Sequence, residues 1–249
     1  MPKNLSISDP VYGFIFMPYG LLTDVVAHPF FQRLRGIRQL GLSGLVYPGA
    51  QHTRFQHSLG AYHLMHEALA NLQFKGAFLF DTEVEAAEAA ILLHDIGHGP
   101  FSHVLENVLV PGLSHEDISL MMMQQMNREM NGQLSLAIKV FSDDYPKPFL
   151  HELICSQLDA DRLDYLSRDA FFTGVREGNI GTERIIRMLN LKDNHLVVES
   201  KGLYTIENYL LSRRLMYWQG YLHKTALAAE QVLRAAFRRA KWLAARGVG

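Results

Sequence analysis

Four side chains in this sequence form a set that could bind a divalent metal ion. They are His57, the adjacent pair His94 and Asp95, and Asp161. Two imidazoles and two carboxylates suit Mg, Mn, Fe, Ni, Co or Zn, and four protein ligands on a six-coordinate ion leave room for water and a phosphate oxygen. We therefore expect one divalent ion at this set, and hydrolysis at that ion.

Each of these residues alone has an ordinary structural explanation. A single helical histidine is more often a core or surface residue than a ligand, and an aspartate near a helix end is often a cap. The interpretation changes because each member of the set lies inside a longer motif. The motifs are His52-Thr-Arg-Phe-Gln-His-Ser-Leu-Gly60, His94-Asp-Ile-Gly-His-Gly-Pro-Phe-Ser-His103 and Leu158-Asp-Ala-Asp-Arg-Leu-Asp-Tyr-Leu-Ser-Arg-Asp169.

Helices are predicted to position all three motifs. Thr53 is a suitable N-cap for an amphipathic helix that runs to about residue 73, which places His57 in its first turns. A second helix over 83–96 is stopped by Gly97, so the second motif lies at a helix C-terminus. The third motif falls within a predicted helix over 149–171.

The rest of the sequence also predicts a largely helical chain. Loose alternation over 5–18 favours a short strand or hairpin, and 188–199 favours a hairpin that turns at 192–194. Further helices are predicted over 101–109, 114–130, 203–220 and 224–246. The expected fold class is all-α with a minor β-hairpin.

Composition and charge exclude several classes of protein. The 24 Lys and Arg nearly cancel the 25 Asp and Glu, so the chain lacks the global basic field of a sequence-independent nucleic-acid binder. A single cysteine, Cys155, excludes an intrachain disulfide and is typical of the cytoplasm. Because no apolar run is long enough for a signal peptide or a bilayer span, we expect a cytoplasmic protein without a membrane partner.

The three motifs resemble those of the HD-domain superfamily. Within it they are most similar to the deoxynucleoside triphosphate triphosphohydrolases, the family of bacterial dGTPases and animal dNTPases. The resemblance extends from about Gln32 to Lys224. It implies an HD-type helical fold with a metal ion between helices, and hydrolysis of a dNTP to the deoxynucleoside and inorganic triphosphate.

The resemblance also implies which residues hold the metal. The ligands are His57, His94, Asp95 and Asp161, with Asp159 as the alternative to Asp161. Residues two apart on a helix point about 200° apart, so only one of these aspartates should face the ion. We expect the other to pair with an arginine.

Cleavage of a phosphate ester also needs a proton donor near the departing 5′ oxygen. The candidates are His98, His103 and His115. The resemblance implies that His103 and His115 lie close to the phosphates, with His115 and Glu116 as a coupled pair. A structural role, as a helix cap or turn residue, is the alternative for each histidine.

A bound triphosphate requires fixed cations as well. The resemblance implies that they are Arg54, Arg162, Arg168, Arg213 and Lys224. Arg168 has the strongest structural alternative, because it could pair with Asp164 one helical turn away. The sugar and base would be contacted by Gln39, Leu40, Tyr165, Asp169 and Tyr221, although the two tyrosines at helical spacing could also be core aromatics.

Two rival functions remain open from the sequence. An HD phosphohydrolase acting on nucleoside monophosphates or another phosphoester would share the metal site but need fewer cations, so replacing Arg213 or Lys224 should leave its activity nearly intact. A nucleotide sensor without turnover would be expected to have an incomplete ligand set, whereas all four ligands are present here.

We expect a single HD-type domain over 1–249. Its motif core spans 32–224, and 225–249 begin a C-terminal helical extension. The final amphipathic helix stops at 247–249 without a cap, so we expect the C-terminal portion to be truncated. The resemblance further implies a homo-oligomer.

Overall fold

Helices form most of the chain in this computed structural model, which describes residues 4–105, 108 and 112–247 and, of Ser102 and His103, only the backbone. The α-helices are, in chain order, α1 (Leu21–Ala27), α2 (Pro29–Gln32), α3 (Arg54–Phe74), α4 (Asp81–Leu93), α5 (Ser102–Leu105), α6 (His115–Glu129), α7 (Ser135–Phe141), α8 (Pro148–Glu152), α9 (Ala160–Thr173), α10 (Thr182–Met188), α11 (Leu203–Met216) and α12 (Lys224–Ala244). Short 3₁₀ turns and one π-helical turn, Tyr217–Tyr221, link several of them. The predicted all-α class is confirmed.

The β structure of these residues consists of two antiparallel hairpins. Strand β1 (Asn4–Asp9) pairs with β2 (Gly13–Pro18), and β3 (Leu189–Lys192) pairs with β4 (His195–Val198). The second hairpin turns through Asp193 and Asn194, whose positive φ angles of 52° and 66° suit a two-residue hairpin turn. The hairpin predicted over 188–199 is confirmed, and the alternation over 5–18 forms the other.

Helix α3 lies at the centre of the fold and packs against both α4 and α9. A reciprocal capping box starts it: the Gln56 N–H donates to Thr53 Oγ1 at 3.4 Å, and the Thr53 N–H donates to Gln56 Oε1 at 2.9 Å. The predicted N-cap is therefore confirmed. His57 lies one turn further along and is fully buried, so it faces the junction of the three helices.

The prediction of one continuous helix over 149–171 is wrong. The chain leaves the helix after Glu152 and starts a new one at Ala160. Asp159 is the cause, because its carboxylate accepts from the N–H groups of Ser156 and Arg162, both at 2.7 Å. Capping at both sides of the break satisfies backbone donors that a continuous helix would bond internally. Asp161 consequently lies in the first turn of α9.

Helix α12 is held to the rest of the fold by side chains that reach main-chain oxygens. Arg234 Nε donates to the carbonyl of Val104 at 3.1 Å, and Lys241 Nζ donates to that of Val108 at 2.7 Å.

Across the described part of the chain, no helix has both the length and the apolar character needed to cross a membrane.

Candidate metal centre

Three polar side chains converge where α3, α4 and α9 meet. His57 Nε2 lies 3.2 Å from His94 Nε2 and 3.1 Å from Asp161 Oδ1, and His94 Nε2 lies 3.5 Å from the same oxygen. Ligand atoms about 2.1 Å from a shared ion are separated by roughly 3.0 to 3.4 Å in octahedral or tetrahedral coordination. The three spacings therefore match a single divalent ion.

The outer nitrogens of both imidazoles determine where their lone pairs point. His57 Nδ1 lies 2.7 Å from Asp164 Oδ2, and His94 Nδ1 lies 2.6 Å from the carbonyl oxygen of Ile91. An ionised carboxylate and a carbonyl only accept, so each Nδ1 carries the hydrogen and each neutral ring keeps its lone pair on Nε2. Two facing lone pairs beside the Asp161 carboxylate repel unless a cation lies between them. The donor set fits a metal ion.

Protons are the cations that compete for this position. Burial lowers the pKa of His57, but hydrogen bonds to Asp161 and Asp164 outweigh it and raise that pKa to about 10. Burial lowers the pKa of His94 as well, but the charges of Asp95 and Asp161 outweigh burial and raise that pKa. In the metal-free protein at neutral pH, His57 is therefore protonated, and its Nε2–H faces Asp161.

We expect metal binding to release protons and to strengthen as pH rises. His57 is protonated below about pH 10, and an ion must displace that proton, so the association constant should rise about tenfold per pH unit for each proton displaced. Titration calorimetry with Mn²⁺ at several pH values, in two buffers of different ionisation enthalpy, measures both quantities. An affinity independent of pH would contradict this protonation state.

Asp95, the fourth predicted ligand, lies beside the two histidines. Its Oδ1 is 3.4 Å from His94 Nε2, and its Oδ2 is 3.7 Å from His57 Nε2. The same carboxylate accepts a hydrogen bond from Arg54 Nη1 and lies 3.3 Å from His98 Nε2. Burial would raise the pKa of Asp95, but the charges of His94 and Arg54 and the hydrogen bond with His98 hold it well below its usual range. The carboxylate is ionised and within reach of an ion.

The turn after α4 is fixed by α6. Ser119 Oγ donates to the carbonyl of His94 and accepts from the N–H of Gly97, both at 2.9 Å. Glycine is required at position 97, because a Cβ there would lie 2.2 Å from the carbonyl oxygen of His115. The predicted helix over 83–96 in fact ends at Leu93, and residues 94–97 form a turn; the sequence gives no sign of the role of Ser119, whose partners are distant in the chain.

The predicted proton donors differ in their surroundings. His98 is buried, its carbonyl accepts from Arg33 Nη1 at 2.9 Å, and its ring stacks on His115 with centroids 4.0 Å apart. Burial lowers the pKa of His98 to about 4, which leaves the ring neutral at pH 7. His115 is half-buried and Glu116 is exposed, whereas the His103 side chain lies outside the described residues.

Of the predicted phosphate-binding cations, Arg54 contacts a predicted ligand of this centre, and Arg162 is the chain neighbour of another. Arg54 is buried against Asp95, and Arg162 follows Asp161 directly. Arg162 Nε donates to the carbonyl of Ser156 at 2.6 Å and lies 3.3 Å from Asp159 Oδ2. The structure thus brings Asp161 to the two histidines and leaves Asp159 as a helix cap beside an arginine.

Arg168 does not reach the centre, contrary to its predicted role as a phosphate contact. Its side chain is fully buried. Nε and Nη2 each lie 3.0 Å from an oxygen of Asp164, and Nη1 lies 2.8 Å from Asp9 Oδ2. The alternative, an ion pair with Asp164 one turn away, is what the structure shows.

The other two predicted cations are Arg213 and Lys224. Arg213 lies on α11 and Lys224 lies on α12. Arg213 Nη1 donates to Gln157 Oε1 at 3.1 Å, and its guanidinium lies 5.9 Å from the Tyr217 ring centroid. It therefore contacts the segment just before Asp159. Lys224 is exposed at the start of α12. Their phosphate contacts stay predictions.

A second buried cluster surrounds Asp169. Its Oδ2 accepts from the Tyr221 hydroxyl at 2.7 Å, and its Oδ1 lies 2.6 Å from His52 Nε2. His52 stacks on Phe172 at 4.6 Å, and its carbonyl accepts from the Gln39 N–H at 3.0 Å. The Gln39 Oε1 atom is buried without a hydrogen-bond partner among the described residues. This cluster unites three predicted sugar contacts.

His52 is a member of this cluster that sequence reasoning did not select. It begins the first motif, but its partner Asp169 is 117 positions away. The two remaining predicted contacts are Tyr165, whose ring lies edge-on to Tyr221 at 6.2 Å, and Leu40, which is half-buried next to Gln39.

Two family profiles match this chain. The sequence profile of the HD domain matches residues 54–169, and that of an HD associated region matches residues 180–244. This chain is an HD-domain protein. The first profile contains His57, His94, Asp95 and Asp161, and ends at Asp169.

Relatives of this HD-domain protein are longer than the chain itself. The crystal structure of a phosphohydrolase from Bacteroides thetaiotaomicron has a TM-score of 0.97 and 65% identity, covering 99% of this chain and 61% of its own. Uncharacterized protein YwfO of Bacillus subtilis is 39% identical over 243 residues, and the match covers 94% of this chain and 55% of YwfO. Deoxynucleoside triphosphate triphosphohydrolase SAMHD1 of Danio rerio is 27% identical over 279 residues, covering 94% and 44%. The chain spans about half the length of the curated relatives it matches.

Proposed function

We propose that this HD-domain protein is a metal-dependent phosphohydrolase that converts a dNTP to a deoxynucleoside and inorganic triphosphate. The observation that carries the proposal is the convergence of two imidazole lone pairs and a carboxylate, from His57, His94 and Asp161, within 3.5 Å of one another. Similarity to a phosphohydrolase and to a deoxynucleoside triphosphate triphosphohydrolase supports the reaction class.

The ion held by His57, His94, Asp161 and Asp95 would neutralise phosphate charge and lower the pKa of a bound water. Arg54 would add a positive charge that burial keeps from being screened by solvent. Arg162, with a side chain 24% exposed, would contact the phosphates from the α9 side. Together these residues favour a substrate with several negative charges.

His115 or His103, whose side chain lies outside the described residues, would donate the proton that the departing 5′ oxygen needs. His98 is the weaker candidate, because its pKa of about 4 leaves it neutral at pH 7. His98 would instead hold Asp95 on one side and the stacked His115 ring on the other. His115 is half-buried and starts α6 beside its cap Ser114, so its position is fixed by the helix.

The cluster around Asp169 would recognise the deoxyribose. Asp169 is held by Tyr221 and His52, and its carboxylate would accept a hydrogen bond from the 3′ hydroxyl. The buried Gln39 Oε1 offers a second acceptor. Tyr165, edge-on to Tyr221, would pack against the sugar where a 2′ hydroxyl would clash.

Product analysis tests this proposal. Purified protein is incubated with each dNTP and Mn²⁺ or Mg²⁺, and the products are separated by ion-exchange chromatography. We expect deoxynucleoside and triphosphate in equal amounts, and neither from the His94→Ala variant. Release of monophosphate would instead indicate a different phosphoesterase, and binding of dNTP without any product would indicate a sensor.

A further inference from the structure

A continuous line of buried polar groups connects the N-terminal hairpin with the metal centre. Asp9 Oδ2 accepts from Arg168 Nη1 at 2.8 Å, and two other nitrogens of Arg168 donate to the two oxygens of Asp164, each at 3.0 Å. Asp164 Oδ2 in turn accepts from His57 Nδ1 at 2.7 Å. Asp9 is 6% exposed and the other three side chains are fully buried, so water does not screen these contacts.

The spacing of residues on α9 explains how His57 is held. Asp161 and Asp164 are three apart, so both carboxylates lie on one helix face and the His57 ring fits between them. Asp161 faces Nε2 and Asp164 faces Nδ1. Arg168 is one further turn along, and its planar fork engages both oxygens of Asp164, which fixes the plane of that carboxylate.

Asp9 is itself rigidly placed. Its Oδ1 accepts from the N–H groups of Val11 and Tyr12 at 2.9 and 3.1 Å, within the turn between β1 and β2. The Tyr12 ring lies 5.6 Å from the guanidinium of Arg168. Asp9 thus accepts from Nη1, the third guanidinium nitrogen of Arg168. Asp9 lies in the N-terminal hairpin, outside the residues that the HD-domain profile matches.

Removal of the Asp9 charge would strengthen the interaction between Arg168 and Asp164. A buried guanidinium that loses one of its two carboxylate partners interacts more strongly with the partner that remains. Asp164 would then be a poorer acceptor for the His57 Nδ1–H, and His57 Nε2 a poorer metal ligand. Partners of this outer kind change metal affinity by about 10- to 100-fold in metalloproteins.

We propose that Asp9 is a positioning residue for the metal centre, acting through Arg168 and Asp164 on the orientation and tautomer of His57. The proposal rests on the metal site described under the proposed function. It assigns to the N-terminal hairpin a part in metal binding, although the hairpin contributes no ligand.

The test compares metal affinity in Asp9→Asn and wild-type protein. Titration calorimetry with Mn²⁺ gives the dissociation constant, and the visible spectrum of the Co²⁺-loaded protein reports the ligand geometry. We expect Asp9→Asn to raise the dissociation constant about tenfold and to shift the Co²⁺ bands. Asp24→Asn is the matched control, since Asp24 is an exposed carboxylate on α1 and should leave both unchanged.

A double-mutant cycle separates this role from a general loss of stability. If Asp9 acts through Asp164, the affinity losses of Asp9→Asn and Asp164→Asn are not additive. A lower melting temperature with an unchanged dissociation constant and Co²⁺ spectrum would overturn the inference.

If Asp9→Asn does not fold, the affinity of Asp9→Glu for Mn²⁺ is measured instead, because this variant keeps the charge but displaces the carboxylate. We expect it to weaken Mn²⁺ binding by a few-fold, and an unchanged affinity would again overturn the inference.

Metal binding by the wild-type protein separates a failure of this inference from a failure of the proposed function. Absence of Mn²⁺ or Co²⁺ binding by the wild-type protein would contradict the metal centre itself and remove the basis for the role of Asp9. Binding by the wild type that the Asp9 variants leave unaltered would overturn the role of Asp9 alone.

Discussion

The His94→Ala variant should fail to bind the proposed metal and lose at least about 10³-fold in kcat/KM for the proposed dNTP hydrolysis, since a catalytic ion contributes several kcal/mol to transition-state stabilisation. His94 is buried and supplies one of two imidazole nitrogens to the centre, and a water in the space left by the ring would be a weaker ligand than an imidazole. Metal content by mass spectrometry after chelation and reloading, together with initial rates, measures both effects.

A matched control is His195→Ala. His195 is an exposed histidine on β4 that pairs with Glu152, and we expect its loss to change neither metal content nor rate. Thermal unfolding of the metal-free variant and the metal-free wild type checks that the loss of metal in His94→Ala does not come from loss of the fold. One metal ion per chain and a wild-type rate in His94→Ala would contradict the proposed site.

The second large effect is expected from Gly60→Ala, which should cost about 3–5 kcal/mol in the free energy of unfolding. A Cβ at position 60 would lie 1.9 Å from Asp164 Oδ1 and 2.2 Å from Arg168 Nη2. Those atoms belong to a buried ion pair that cannot move aside without leaving a charge unpaired. Helix propensity alone predicts the opposite sign, a gain of roughly 1 kcal/mol for alanine within α3.

Urea unfolding monitored by circular dichroism measures the difference. Gly36→Ala is the control, because nothing lies within 4 Å of a Cβ built there and its φ is not positive. We also expect Gly60→Ala to weaken Mn²⁺ binding, since Asp164 holds His57. A stability equal to or above wild type would show that the ion pair yields to the methyl group and would contradict this account.

The parts of the fold that sequence could predict are those specified by neighbours in the chain. The N-cap at Thr53 is a contact with Gln56 three residues away, and the hairpin turn at 193–194 depends on the residues that adopt positive φ. The helix break before Asp159 was missed because apolar residues continue at helical intervals on both sides. The capping contacts of a single aspartate decided it.

In the candidate site, the motifs located the residues but not their partners. Arg168 has Asp164 one turn away and Asp9 at a distance of 159 positions, so the sequence suggested only half of its environment. Similarly, nothing local indicates that His52 stacks on Phe172 and bonds to Asp169. Such pairs depend on tertiary packing of α3 against α9, which one sequence does not specify.

The pairing of Asp9 with Arg168 also means that a buried ion pair crosses the boundary of the residues that the HD-domain profile matches. A polypeptide cut to residues 54–169, the extent of the HD-domain profile, would contain every proposed metal ligand. It would nevertheless leave a guanidinium short of one of its two carboxylates in the interior. For this chain, the limits of a stable fragment are therefore set by the buried charge network as well as by the residues that the profile matches.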